Sequence, residues 1–328
     1  MATMRVIDHG EGGGPEVCKL AEADIPTARP GELLVKVVAA GVNGPDLKQR
    51  AGGYPPPRGA SPLMGLEMSG HVAALGEGVT GWAEGDSVCA LTNGGSYAEY
   101  VRVPAAQALP IPEGVELIDA AGLCETFFTV WSNVWHGHDV PAGQTLLVHG
   151  GGGGIGSTAV QLGTAMGLRV FTTAGSDASR ALAARMGAER VINYREEDFV
   201  EIVREAGGAD IVVDFMGGDY IQRNFKTCNM DARVIFLAFD RGAKTEVNLM
   251  PIMLKRLRLT GATLRPRPPE FKAAVAAELR EKVWPLFGTG ALQTVTHKVF
   301  PFENAAQAHA YMEAGGHAGK ILLKVGAG

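Results

Sequence analysis

Cysteine is scarce and scattered: Cys18, Cys89, Cys124 and Cys228 are the only four in 328 residues, and no two form a C-x-x-C pair. That spacing offers no zinc or redox-exchange motif and points to reduced thiols in a cytoplasmic protein. No apolar run approaches the ~18 residues of a membrane span. The first residues, with Arg5, Asp8, His9, Glu11 and Glu16, hold no apolar core for a secretion signal. Basic charge is not in excess either. The formal net charge is −5, and the densest basic stretch, Lys255-Arg256-Leu257-Arg258 with Arg265 and Arg267 nearby, is short and interrupted, which argues against nucleic acid as a general partner. Ser-x-x-x-Tyr-x-x-x-Lys and G-x-S-x-G arrangements are absent, as is an evident carboxylate pair.

Glycine is what the chain has in plenty, 45 residues, and six of them fall in the seven positions 150–156 of "LLVHGGGGGIG". Glycine costs about 0.5–1 kcal/mol against alanine in regular structure, so such a cluster implies a backbone path or close approach that a Cβ would block. Leu146, Leu147 and Val148 before it read as a buried strand, and Ile155, Ala159, Leu162 and Met166 after it recur at helical spacing. In that context Gly151, Gly153 and Gly156 match the dinucleotide fingerprint G-x-G-x-x-G. The pattern assigns Gly151 to the tight turn, Gly153 to the approach of a pyrophosphate and Gly156 to close helix packing. Gly154 and Ile155 complete the helix start, whose free N–H groups face the phosphates.

The length suggests about two domains. Residues 1–120 carry short strand-like runs such as Leu33–Ala39 and His71–Leu75 between turns, which predicts a β-rich, barrel-type domain. Strand patterns at 145–149, 169–173, 190–193, 210–215, 232–238 and 258–264 then alternate with helical patterns at 156–166, 177–187, 196–206 and 218–228. Alternation of this kind predicts a doubly wound parallel sheet with crossover helices. A helix is expected over Phe271–Phe287, and Val299-Phe300 and Ile321–Val325 read as strands that return to the first domain.

Several blocks in order resemble one family. Gly143-Gln144, Leu147, Gly151 to Gly154, Gly156 and Gln161 meet its signature, which departs only at Thr164. "AGVNGPDLKQRAGGYPPP", "PLMGLEMSGHVAALGEGV", "NYREEDF" and "GKILL" match further blocks. The chain resembles the zinc-independent quinone oxidoreductases of the medium-chain dehydrogenase/reductase superfamily, the group that includes zeta-crystallin. The resemblance implies an α/β fold with a discontinuous GroES-like β-barrel domain over 1–124 and 265–328, a Rossmann domain over 125–264, and a homodimer. It also implies that no metal is held. Related alcohol dehydrogenases bind zinc through a cysteine and a histidine at the positions of Asn43 and Leu66, which supply no thiolate or imidazole.

The acidic residue that binds the ribose in NAD-specific domains is replaced by Gly175 and Ser176 at the end of the second strand. Ser176, Arg180 and Tyr194 are candidates to hold a 2′-phosphate, so the expected cofactor is NADPH rather than NADH. Asp177 competes with that reading, as a ribose partner or as a residue favouring the helix start. The resemblance sets Asn43 and Tyr54 in the substrate cleft and Thr129, Leu237 and Phe239 beside the nicotinamide. Without metal, hydride transfer needs an acceptor that is already electrophilic. A soluble quinone is the first choice. An enone or enoyl thioester is the second, distinguished by pocket size and by whether a basic surface near Arg265 and Arg267 can take a coenzyme A phosphate, and a cofactor-binding structural or RNA-binding role is the third.

Overall fold

The computed structural model describes residues 2–326. The chain forms two compact units, one drawn from Met1–Phe128, Arg265–Gly315 and Lys320–Gly328, the other from Thr129–Leu264 with Gly316–Gly319.

The first unit is built on a seven-stranded sheet. Its central strand, Glu32–Val42, pairs antiparallel with Glu67–Leu75, Tyr100–Pro104 and Lys320–Lys324. Ser87–Leu91, Ala108–Pro110 and Thr296–Pro301 complete it, and Thr3–Asp8 forms a separate hairpin with Lys19–Asp24. Val35 and Val37 alternate with more exposed neighbours along the central strand and pack with Met68, Val72, Val88, Ile321 and Leu323 into one core. The expected helix over 271–287 is broken. Pro269–Glu278 is α-helical, Leu279–Val283 widens to a π-turn in which Trp284 N–H donates to Leu279 O (2.8 Å), and Pro285–Gly288 restarts. Pro285 brings no N–H to the ladder, and the turn before it takes up the mismatch.

The second unit is the doubly wound sheet that the alternation predicts. Six parallel strands run in the order Arg190–Asn193, Arg169–Ala174, Thr145–His149, Ala209–Asp214, Cys228–Phe236, Arg258–Gly261. Leu147, Phe171, Ile192, Val212 and Val234, one from each of the first five, form its core with Phe199 and Phe225 from the covering helices. Helices on both faces explain why Thr145–His149 is buried at every position rather than at alternate ones. The order reverses beside Thr145–His149, so the glycine loop that follows this strand lies at the switch point where such sheets bind ligands. No helix among the described residues is long and apolar enough to cross a membrane.

Candidate functional site

In the second unit the glycine loop leads from Thr145–His149 into the helix Gly154–Ala165. The tight turn is closed by Gly153 N–H donating to Gly150 O (3.1 Å), with Gly151 and Gly152 at its centre and left-handed Gly150 (φ +70°) at its start. Gly151 is needed for close approach as well: a Cβ there would come 2.2 Å from Thr172 Oγ1. Gly156 does serve close packing, since its Cβ would stand 2.1 Å from Gly150 O. Gly153 is the helix N-cap, and its Cβ would meet only Gly150 O at 3.6 Å, an ordinary contact. That leaves open space over the helix N-terminus, where unpaired N–H groups and the positive end of the dipole favour an anion.

The second strand ends beside this loop. A Cβ on Gly152 would overlap Ser179, and one on Gly175 would lie 2.4 Å from the Tyr194 hydroxyl, so the loop, Ser179, Gly175 and the half-exposed Tyr194 are neighbours. Ser176 is the N-cap of the helix Asp177–Arg185, its Oγ accepting from Ser179 N–H (3.2 Å). Asp177 is the first residue of that helix and forms an ion pair with Arg180 on the surface. Leu237 N–H bonds Asp214 O (2.9 Å), and exposed Phe239 stacks on Phe236, both just past the fifth strand. The backbone O of Thr129 accepts from the Asn133 amide (2.8 Å).

Sequence reasoning missed what supports the loop. His149 is fully buried, its Nε2–H donates to Asn224 Oδ1 (2.8 Å), and Asn224 Nδ2 donates to Asp214 Oδ2 (2.9 Å). Burial holds the imidazole neutral, with a pKa lowered to about 4. Asp214 Oδ1 in turn accepts from the Met216 and Gly217 N–H groups. A polar residue inside an otherwise apolar strand was the only signal available.

In the first unit the structure ties Asn43 into a buried ionic group. Asn43 Nδ2 donates to Glu67 Oε1 (2.9 Å), and Lys320 Nζ donates to both Asn43 Oδ1 (2.5 Å) and Glu67 Oε1 (2.6 Å). Glu67 and Lys320 are 0% and 5% exposed, a burial that demands pairing. Gly41 makes room for it, since a Cβ there would sit 2.1 Å from Glu67 Oε1. Asp46 stands in the first turn of the helix Gly44–Arg50: its Oδ2 accepts from Asn43 N–H (3.0 Å) and its Oδ1 from Gly65 N–H (2.9 Å). Burial nevertheless raises its pKa to about 7.

A zinc ion does not fit this arrangement. Both amide atoms of Asn43 are engaged, Leu66 is apolar, and an ammonium already sits against the carboxylate that would attract a cation.

Tyr54 is half-buried, and burial pushes its phenol pKa up, so the O–H stays protonated as a hydrogen-bond donor at neutral pH. Arg265 lies over its ring (5.3 Å) and donates to Tyr54 O (3.3 Å) and Asn93 O (2.7 Å). Lys272, also buried, donates to Asn93 Oδ1 (2.7 Å) and Arg265 O (2.8 Å). Arg265 is therefore buried rather than a surface cation, while Arg267 is exposed and lies over the Phe271 ring (3.8 Å).

A GroES-like unit joined to a Rossmann unit defines the medium-chain dehydrogenase/reductase class. The family descriptions "Alcohol dehydrogenase GroES-like domain" and "Zinc-binding dehydrogenase" match residues 29–113 and 154–280. The chain is 31% identical to the quinone oxidoreductase of Sus scrofa over 333 residues and 30% identical to that of Rattus norvegicus over 329, in each case covering 98% of this chain and 97% of the relative. Among solved structures, a mycobacterial protein complexed with NADPH matches at 29% identity with a TM-score of 0.85, covering 98% of this chain and 100% of that one. The Escherichia coli quinone oxidoreductase complexed with NADPH matches at 27% with a TM-score of 0.81, covering 99% and 100%. The chain belongs to the zeta-crystallin-like quinone oxidoreductase family.

Proposed function

We propose that the protein is a metal-independent, NADPH-dependent reductase of soluble quinones. The observation that carries this reading is the Lys320 ammonium paired with Glu67 beside Asn43, where the chemistry of related dehydrogenases would need a metal. With no Lewis acid to polarise an alcohol or ketone, the acceptor must itself be electron-poor, as a quinone is. NADPH, when bound, supplies the hydride.

Gly151, Gly153, Gly154, Ile155 and Gly156 are the residues assigned to the pyrophosphate. Ser176, Arg180 and Tyr194 are assigned to the 2′-phosphate, and Thr129, Leu237 and Phe239 to the nicotinamide side. Tyr54 is assigned as a hydrogen-bond donor to the acceptor oxygen, and Asn43 holds Lys320 in place.

Similarity to structures solved with NADPH supports the choice of cofactor, as does the missing carboxylate at the end of the second strand. Arg180 is at present spent on Asp177. Asp177→Ala is therefore expected to tighten NADPH several-fold and leave NADH unchanged, whereas Arg180→Ala weakens NADPH about tenfold. Fluorescence titration checks this; an NADPH to NADH affinity ratio that neither substitution moves rules out the 2′-phosphate assignment.

Four free, buried cysteines fit a reducing cytoplasm. The strand Arg258–Gly261 is paired on one side only, and Leu249, Met250, Met253, Leu254 and Leu259 near it are 40–66% exposed. An unpaired edge bordered by apolar side chains fits a second copy of the chain, giving a homodimer. Sedimentation should return twice the mass of one chain; the single-chain mass contradicts the dimer.

A further inference from the structure

Three carboxylates feel the Lys320 ammonium, and one of them has no hydrogen-bond partner of its own among the described residues. Both oxygens of Asp46 accept backbone N–H groups, from Asn43 and Gly65. Both oxygens of Glu67 are also taken, Oε1 by Lys320 and Asn43 and Oε2 by the backbone N–H of Glu125 (2.8 Å). The carboxyl of Glu125 itself has no hydrogen-bond partner among the described residues and is half-buried rather than sealed. Glu125 stands in the first turn of the helix Cys124–Val134, where its backbone is pinned to Glu67, one helical turn before Thr129.

The charged and titratable groups around it are named by their mutual effects. Burial raises the Glu125 pKa to about 7, Lys320 opposes that rise, and Glu67 and Asp46 add to it. Arg265 lowers the Tyr54 phenol pKa, while Glu125 and Asp46 raise it.

We propose that Glu125 is the proton donor of the reaction, giving its proton to the acceptor oxygen, with Lys320 and Glu67 as the positioning pair. The step balances. Hydride transfer adds two electrons and one hydrogen to the quinone and leaves a hydroquinone monoanion. The Glu125 O–H bond then breaks as the hydroquinone O–H bond forms. The charge on Lys320 favours the resulting carboxylate until solvent returns the proton. The proposal rests on the reading of the chain as a quinone reductase.

Because the acid form is the working form, wild-type kcat should fall as pH rises through about 7. Glu125→Gln keeps the shape and removes the proton. It is expected to lower kcat about a hundredfold at neutral pH, flatten the pH profile and leave the NADPH Kd unchanged. Glu125→Asp should restore part of the rate and the pH dependence. Infrared titration supplies a readout apart from turnover: wild type should show protonated-carboxyl absorbance fading between pH 6 and 8 from both Glu125 and Asp46, and Glu125→Gln should lose the Glu125 component and keep that of Asp46. A variant with wild-type kcat and pH profile, or one whose protonated-carboxyl absorbance equals that of wild type, overturns the proposal. Wild-type protein that binds NADPH but oxidises none of it with any quinone overturns the functional reading instead.

Discussion

Replacing Gly153 by valine is expected to weaken NADPH binding about a hundredfold, ~2.8 kcal/mol, while the protein stays folded. The backbone at Gly153 is extended (φ −81°, ψ 175°), which valine adopts without strain, and the residue already offers no side-chain cap to lose. Its Cβ meets nothing nearer than Gly150 O at 3.6 Å. The added methyl groups would instead occupy the space over the helix N-terminus, where the pyrophosphate is assigned. Gly156→Ala makes the contrast, because its Cβ is driven to 2.1 Å from backbone that cannot swing aside. That change should lower the unfolding midpoint as well as cofactor affinity. Nicotinamide fluorescence and thermal melts separate the two variants; a Gly153→Val protein with wild-type affinity rules out the loop assignment.

Lys320→Met should be the most destabilising single change in the first unit. It strands the Glu67 carboxylate, 0% exposed, without its cation. Breaking a buried pair in this way costs about 3–5 kcal/mol, whereas replacing both partners by apolar groups is often close to neutral. The double variant Lys320→Met/Glu67→Met should therefore recover most of the loss in denaturant titrations, a coupling that additive effects would not give. Equal losses in the single and double variants would show that the pair does not carry the unit's stability.

How much of this was legible in the sequence depended on how local the determinants are. The parallel sheet and the glycine loop were readable because strand and helix periodicities and the fingerprint occupy adjacent residues. The run of five glycines did not say which of them takes the left-handed conformation, which falls on Gly150. The helix over 271–287 was read through Trp284-Pro285 because its apolar spacing continues past the break.

The ionic group in the first unit could not be found. Lys320 lies 253 residues from Glu67 and 277 from Asn43, and only the pairing of Lys320–Lys324 with Glu32–Val42 and of that strand with Glu67–Leu75 brings them together. Glu125 lies in a stretch where the sequence periodicity predicted no element, so nothing singled it out. Arg265 looked like surface charge until its contacts with Tyr54 and Asn93 were known.

The central claim is that this chain moves a hydride from NADPH to a quinone without a metal. It is tested most directly by adding 1,4-benzoquinone to the purified protein loaded with NADPH, with a strong chelator present, and following the nicotinamide absorbance. The account predicts rapid, quinone-dependent oxidation of the bound cofactor at a rate the chelator does not change. Binding without oxidation, or oxidation that the chelator abolishes and zinc restores, would contradict it.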